Sequence, residues 1–498
     1  MSSISTPGSA PGHTDHDHLK RDVTPFQSFA VAFGFVSIAT GIFTAYGAML
    51  SSSGPMGIWT WPVVVIGQLM VALIIGSLAA RIPVTGYIYQ WASRLTNPVF
   101  GWIMGWIGFT FLAVVLVAVD YTIASTVLPV LLSYEGTAEN AWWITSLVIV
   151  AQAVMIAFST KFTQKFNAVA VTIQLVGMIG LVVLLFAVGA YNNELDFANL
   201  FTKGGIPEEY YSFGGLTSVG PWIMGTLLGA FTIVGFESAA NLAEETRDPA
   251  RVVPKAMWQA VLSLGIIGML FLIAVTALLG DPTTLSASST PIADVINKIL
   301  GPVLGNLLLV LVVISIFSCG LVILLSGTRL VWAMSRDERF PGWQLWHRIS
   351  PSLKTPVNAT IFMAVVAQVI LALFAEQTDA LFALFSAATL LPAIIYAVTV
   401  LIYAFQRKKL PPSQGFSLGA WETPVLIVAI AWLAFELAIF RDASFAKPWS
   451  YVAVMFAIGV VYLVYLLATR GGAKALKMPD MISVDAILDA DKGADVLR

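Results

Sequence analysis

The sequence predicts an all-α membrane protein of twelve transmembrane helices, ten of them forming two inverted five-helix repeats (5+5) in which helices 1 and 6 are broken. Three observations carry that expectation. The composition is too apolar for a water-soluble surface. Apolar runs of bilayer length recur along the chain. Two of those runs are interrupted at corresponding places.

Of the 498 residues, 58% are hydrophobic and only 11% charged. Soluble proteins carry roughly 25% charged residues, so this chain has too few to cover a hydrated surface. The mean hydropathy of +0.85 agrees. The lipid bilayer is then the solvent for most of the chain. A net charge of -2 gives no sign of a nucleic-acid partner. The single cysteine, Cys319, rules out an internal disulfide. The first twenty residues are polar and hold no apolar core, so no cleaved secretory signal is expected.

Spanning helices are predicted at 26–50, 58–80, 100–132, 142–158, 166–190, 218–245, 256–280, 300–334, 357–375, 380–405, 422–441 and 449–469. The transmembrane domain is then 22–470, with repeat 1 at about 26–190, repeat 2 at about 218–405 and two further helices at 422–469. Residues 1–21 and 471–498 read as cytoplasmic tails, the first of them disordered. The run His13-Thr-Asp-His16-Asp-His18 falls in that tail, and a metal role is not expected of it. An even helix count puts both termini on one side. Of the 26 Lys and Arg residues, only Lys203, Lys298, Arg441 and Lys447 fall outside the loops and ends assigned to that side, so the termini are expected in the cytoplasm and the chain in the cell (inner) membrane. The runs at 100–132 and 300–334 exceed a perpendicular span and should tilt or reach into water. Trp59, Trp61, Trp142, Trp143, Trp222 and Trp449 lie near helix ends and read as an interfacial belt.

The interruptions are Ser37-Ile38-Ala39-Thr40-Gly41-Ile42-Phe43 in helix 1 and Phe231-Thr232-Ile233-Val234-Gly235-Phe236-Glu237-Ser238 in helix 6. Each is near mid-span, and each helix is first in its group of five, with opposite direction. Paired interruptions of this kind point to a solute site at the interface of the repeats. An unwound segment leaves peptide groups unpaired in lipid, and a bound solute completes them. Half-helix N-termini attract a carboxylate and half-helix C-termini an ammonium group.

Three further stretches carry a resemblance. Ser77-Leu-Ala-Ala-Arg-Ile-Pro83-Val-Thr-Gly86-Tyr-Ile-Tyr89-Gln-Trp91 is similar to a signature of the form Pro-Thr-(Ala/Ser)-Gly-Gly-x-Tyr-x-Trp after helix 2, and Gly101-Trp102 with Gly105-Trp106 continues it. Gly235-Phe-Glu237-Ser-Ala-Ala-Asn241-Leu-Ala-Glu244-Glu245-Thr-Arg-Asp248-Pro249 resembles a helix 6 motif, and Arg329-Leu-Val-Trp-Ala-Met-Ser-Arg336-Asp337 with Pro341 one that closes helix 8. Together they resemble the amino acid–polyamine–organocation superfamily, and within it the amino acid/choline permeases. The resemblance implies a LeuT-like fold and secondary active transport of a small-molecule amino acid or amine by alternating access. It also implies a carboxylate cradle at Ile38, Ala39, Thr40 and Gly41, amine-binding carbonyls near Phe231, Val234, Gly235 and Phe236, and a gating aromatic at Phe231. Ala39-Thr40-Gly41 departs from the Gly-Ser-Gly common there.

Acidic groups in mid-span cost about 2.5–3.5 kcal/mol on insertion scales and need a partner or a purpose. Glu237 is either a structural acceptor or a proton-sensitive coupling group, and Asp120 either a packing acceptor or, facing the pocket, a magnet for a cationic amine. Glu436 reads as interfacial. Gln174 falls near a position where some proton-coupled relatives carry a lysine, and its amide has no such charge. Ser315 and Ser318 are candidates for a sodium site with helix 1 carbonyls, or for bonds to their own helix. No cofactor is expected; the coupling ion is H+ or Na+, or the chain is an exchanger. Glu244, Glu245, Arg247, Asp248 and Arg251 with Arg329 and Arg336 form a candidate inner gate. Competing classes fare worse. Haem needs His, Met or Cys ligands in the span, and no span holds a histidine. No phosphate-binding Gly-x-x-x-x-Gly-Lys-Ser/Thr motif occurs. An ion channel uses rings of carbonyls or charges, which suits the paired interruptions less well.

Overall fold

Apolar helices capped by local signals account for the architecture of this computed structural model. It describes residues 23–134, 137–206, 209–280, 290–374, 380–413 and 415–469 and, for 374 and 380–385, the backbone alone. The two tails, with the histidine run, lie outside the described residues. In chain order the spans are α1 (Pro25–Ser53), α2 (Pro55–Arg81), α3 (Pro98–Leu132), α4 (Ala138–Phe158), α5 (Thr160–Tyr191), α6 (Pro221–Glu245), α7 (Pro249–Ala277), α8 (Pro291–Arg336), α9 (Val357–Phe374), α10 (Ala380–Gln406), α11 (Gly419–Ile439) and α12 (Ala443–Thr469). All but α9 meet the length and hydropathy of a bilayer crossing; α9 is a shorter apolar helix. The described residues contain no β-strand, only an isolated bridge between Val23 and Thr246.

Several spans begin earlier than the hydropathy predicts, because their first turns are polar and carry the starting signal. Thr137 and Ser159 cap α4 and α5 by accepting from the amides of Asn140 and Phe162. Pro249 and Pro291 occupy the first turns of α7 and α8, where their missing N–H is not needed. The two long runs are resolved differently. A π-helical turn, Ile123–Val127, interrupts α3. In α8 the backbone turns at Gly301, with φ 75°, so Pro291–Leu300 forms a separate arm.

α1, α2, α6 and α7 pack on one another as a bundle, and α3, α4, α5, α8, α9 and α10 form a scaffold around it. α11 lies on α2 and α10, and α12 on α3 and α10. The scaffold's outer faces expose large apolar side chains, for instance Val150 and Val154 on α4 and Val176 and Val183 on α5. Such faces suit lipid and not water. α1 begins where α6 ends, as the Val23–Thr246 bridge shows, so the two run in opposite directions.

Two sequence expectations are corrected. Trp61 is fully buried, donates to the Gly265 carbonyl at 2.9 Å and packs on Gly268, so it is a core residue joining α2 to α7. Glu436 is likewise 1% exposed, and Gln68 of α2 donates to both its oxygens at 3.2 Å. It fastens α11 to the bundle. Trp449 and Trp143 remain exposed, at 42% and 57%. In the loop between α11 and α12, burial works against ionisation of Asp442. The amides of Ser444 and Val219 and the nearby Arg441 hold its carboxyl below the usual range all the same.

Candidate functional site

α1 is two helices, Pro25–Val36 and Ile38–Ser53, joined by Ser37 alone, whose φ of 24° and ψ of 103° are non-helical. The break is a capping event in the middle of the span. The Ser37 hydroxyl accepts from the Thr40 amide at 3.3 Å and from the Thr40 hydroxyl at 2.8 Å. Gln174, on α5, donates its amide to the same hydroxyl at 3.1 Å. The first N–H groups of the second half, at Ile38 and Ala39, have no acceptor within the helix. The interruption is thus narrower than the sequence suggests, and Ile38 to Gly41 are already helical.

In α6 the α-helix Pro221–Thr232 stops at Ile233, and Phe236–Glu245 continues as a tighter 3₁₀ helix. Gly235 provides the turn, with φ 87°, a region where other residues are strained. Tyr396 of α10 braces it. Its hydroxyl accepts from the Gly235 N–H at 2.8 Å and donates to Glu237 Oε2 at 2.5 Å. Tyr396→Phe removes the phenol from between a buried N–H and a buried carboxyl, a loss of about 1–3 kcal/mol. It is expected to lower the melting temperature of the purified protein, followed by tryptophan fluorescence; an unchanged melt would contradict the bracing role.

The two breaks lock into each other. A Cβ on Gly41 would fall 2.3 Å from both branches of the Thr232 side chain, and one on Gly235 would fall 1.8 Å from the Phe35 ring. Between them lies a small cavity of about 20 Å3. A single water needs about 10–15 Å3 on this measure, so the cavity has room for about one water and not for an amino acid.

Of the residues expected to bind solute, Thr40, Gly41, Phe231 and Val234 line this cavity. Ile38, Ala39, Gly235 and Phe236 flank it in the chain without lining it, and Asp120 does not reach it. The wall the sequence did not predict comes from Phe35 and Val36 before the first break, Val115 and Val119 on α3, and Cys319 and Ile323 on α8. The last two pairs are four residues apart on helices that are apolar all round, so periodicity could not say which face turns inward.

The coupling candidates are distributed differently. Glu237 is buried and held by Tyr396. The Ser315 hydroxyl donates to Leu311 O at 2.8 Å within its own helix, and that of Ser318 donates to Asn167 Oδ1 of α5 at 2.9 Å. Neither donates to α1. The α8 group that does so is the Cys319 thiol, 3.1 Å from the Phe35 carbonyl. The described residues hold no cluster of three or more His, Cys, Asp or Glu side chains able to bind a metal.

Below the cavity, at the end where α1 begins, ion pairs join α6 to α8. Arg329 Nε meets Glu245 Oε1 at 2.9 Å, with both side chains almost wholly buried. Arg336 pairs with Glu244 at 3.4 Å, and the Thr85 amide donates to the same carboxylate at 3.1 Å. Asp337 accepts from Tyr89 at 2.6 Å and from Gln90 at 3.0 Å. Val23 donates to the Glu245 carbonyl at 2.9 Å, tying the start of α1 into the same layer. Asp248 and Arg251 make an exposed pair at 3.7 Å.

This arrangement has parallels among known proteins. The amino acid permease family matches residues 23–464. The amino-acid permease BAT1 of Arabidopsis thaliana is 24% identical over 91% of this chain and 92% of its own length. Its homolog in Oryza sativa subsp. japonica is 26% identical over 85% of each. The GABA-specific permease of Saccharomyces cerevisiae is 25% identical over 84% of this chain and 75% of its own. With interrupted α1 and α6 enclosing one cavity and a family match across nearly all the spans, the chain belongs to the amino acid permease family and is a multi-pass membrane transporter.

Proposed function

We propose that the chain is a secondary transporter that carries a small zwitterion, an α- or γ-amino acid, across the cell membrane by alternating access. One observation carries the substrate class. The N-terminus of one half-helix, at Ser37, and the C-terminus of another, at Thr232, converge on one cavity. Their opposite partial charges suit a molecule with a carboxylate at one end and an ammonium group at the other. The apolar walls, Val115, Val119 and Ile323, favour a small uncharged remainder. A cationic choline or polyamine loses its main support, since Asp120 does not line the cavity. Among the relatives' names, amino-acid permeases and a GABA-specific permease agree with this choice, and a putative polyamine transporter of Candida albicans favours the cationic alternative.

In this reading the basic end, with Arg81, Arg94, Arg329, Arg336 and Arg407, faces the cytoplasm together with both termini, following the charge asymmetry of the loops. In the same reading the buried Arg329–Glu245 pair closes that end. A thermal-shift screen of the purified protein against amino acids, GABA, choline and putrescine tests the substrate class. Zwitterions are expected to raise the melting temperature and the two cations to leave it unchanged. Stabilisation by none of them would sink this reading.

A further inference from the structure

Asp120 is fully buried in α3, one residue beyond Val119 of the cavity wall, with its carboxylate turned to the scaffold. Oδ1 accepts from Gln152 Nε2 of α4 at 2.8 Å, and the same nitrogen donates to the Phe317 carbonyl of α8 at 3.2 Å. α8 presses onto this pair at Gly320, where a Cβ would lie 2.1 Å from Asp120 Oδ1 and 2.5 Å from Gln152 Nε2. Two acceptors remain. Asp120 Oδ2 and Gln152 Oε1 are both buried and have no hydrogen-bond partner.

The surroundings offer no counter-charge. α4 contains no Lys, Arg or His, and α8 has none between Lys298 and Arg329, which is bound to Glu245. The second half of α1 has no charged residue, and Asp120 is the only one in α3. The titratable neighbours are the Cys319 thiol on α8 and, on α3 itself, the Tyr121 phenol. An ionised carboxylate with one neutral donor and no cation is costly at this depth. A proton on Oδ2 removes the charge. It also supplies the missing donor, since the acid can bond to Gln152 Oε1 and close an acid–amide pair. Sodium suits the place less well, because the Gln152 N–H groups already point at Oδ1 and the Phe317 carbonyl.

We propose that Asp120, paired with Gln152, is the proton-binding site that couples substrate movement to a proton gradient. One proton from water on the entry side adds to Oδ2, crosses as part of the neutral acid, and returns to water on the exit side, restoring the carboxylate. The link to substrate is direct. Val119 and Cys319 line the cavity, and their chain neighbours Asp120 and Gly320 are in contact behind it. Widening the cavity for an amino acid therefore separates α3 from α8 where the proton is held. This inference rests on the alternating-access reading above.

Asp120→Asn tests it, because an amide reproduces the neutral acid's donor and acceptor. The full chain is reconstituted in liposomes with tritiated GABA as probe. The variant is expected to exchange external for internal GABA at a rate near wild type and to lose accumulation driven by an inward proton gradient. For one proton per substrate, one pH unit is worth about tenfold accumulation in wild type; Asp120→Asn should reach only equal concentrations. Accumulation by Asp120→Asn that still follows the pH gradient overturns the proposal, as does wild-type accumulation driven by sodium alone. Infrared difference spectra keep the test independent of transport. Wild type at neutral pH should show a buried protonated-carboxyl stretch that Asp120→Asn removes, beside any contribution of the buried Glu237 and Glu436, which the substitution leaves in place. A carboxyl region unchanged by Asp120→Asn also overturns the proposal. If wild type binds and moves no amino acid, the transport reading itself falls, and the coupling role with it.

Discussion

Alanine at Gly235 is expected to reduce uptake at least tenfold and to lower the melting temperature of the protein. Two costs add. The backbone there has φ 87°, and a residue with a Cβ pays about 1–2 kcal/mol for left-handed geometry. The new methyl group would also sit 1.8 Å from the Phe35 ring, a rigid neighbour, and overpacking of this kind costs about 1–3 kcal/mol. The sum of roughly 2–5 kcal/mol falls on the one turn that holds both half-helices of α6 in place. Combining it with Phe35→Ala removes the ring but leaves the backbone cost. The double variant is therefore expected to regain part of the lost melting temperature, and the shortfall from additivity measures the contact. Wild-type uptake and melting in Gly235→Ala would mean that the break does not have the geometry described.

Arg329→Met should have the second largest effect, and its sign is opposite for access and for stability. Arg329 and Glu245 are buried together at 2.9 Å. Removing one partner leaves a buried charge alone, which costs about 3–5 kcal/mol, whereas replacing both with apolar groups of similar size is often neutral. Arg329→Met is therefore expected to destabilise the closed end, and Arg329→Met with Glu245→Leu to recover stability. The molecule provides its own reporter. Cys319 is the single cysteine of the sequence, is 1% exposed and lines the cavity. Its alkylation by a water-soluble maleimide should be slow in wild type and more than about tenfold faster in Arg329→Met, since every 1.4 kcal/mol of lost closure is a factor of ten. Equal rates in the two proteins would show that this ion pair does not close the path to the cavity.

The parts of the site that the sequence made legible are those written in local chemistry. Apolar length marked the spans, Gly41 and Gly235 marked the crossing of the broken helices, and Glu244, Glu245, Arg329 and Arg336 stood out as charges at helix ends. The facing of helices was not legible. α3 is apolar on every side, so nothing in its pattern says whether Asp120 looks at the cavity or at Gln152. The same holds for Ser318, which meets Asn167, and for Glu436, whose partner Gln68 is 368 positions away in the chain. Gln174 was legible as a polar residue in a span, but its bond to Ser37 exists only once α5 packs on α1. Cys319 carried no signal at all, because a lone thiol in an apolar run reads as packing.

One consequence follows from how the interruptions are held. Each is fastened by the last helix of its own group of five, α5 through Gln174 and α10 through Tyr396. The two fasteners are unlike. An amide meeting a hydroxyl at 3.1 Å can slip and re-form with little penalty, while a phenol wedged between a peptide N–H and a carboxyl at 2.5 Å tolerates hardly any displacement. The two halves thus hold a softer joint and a stiffer one. Motion should start at the soft joint, giving an order of events to a machine whose symmetry alone would leave the two ends interchangeable.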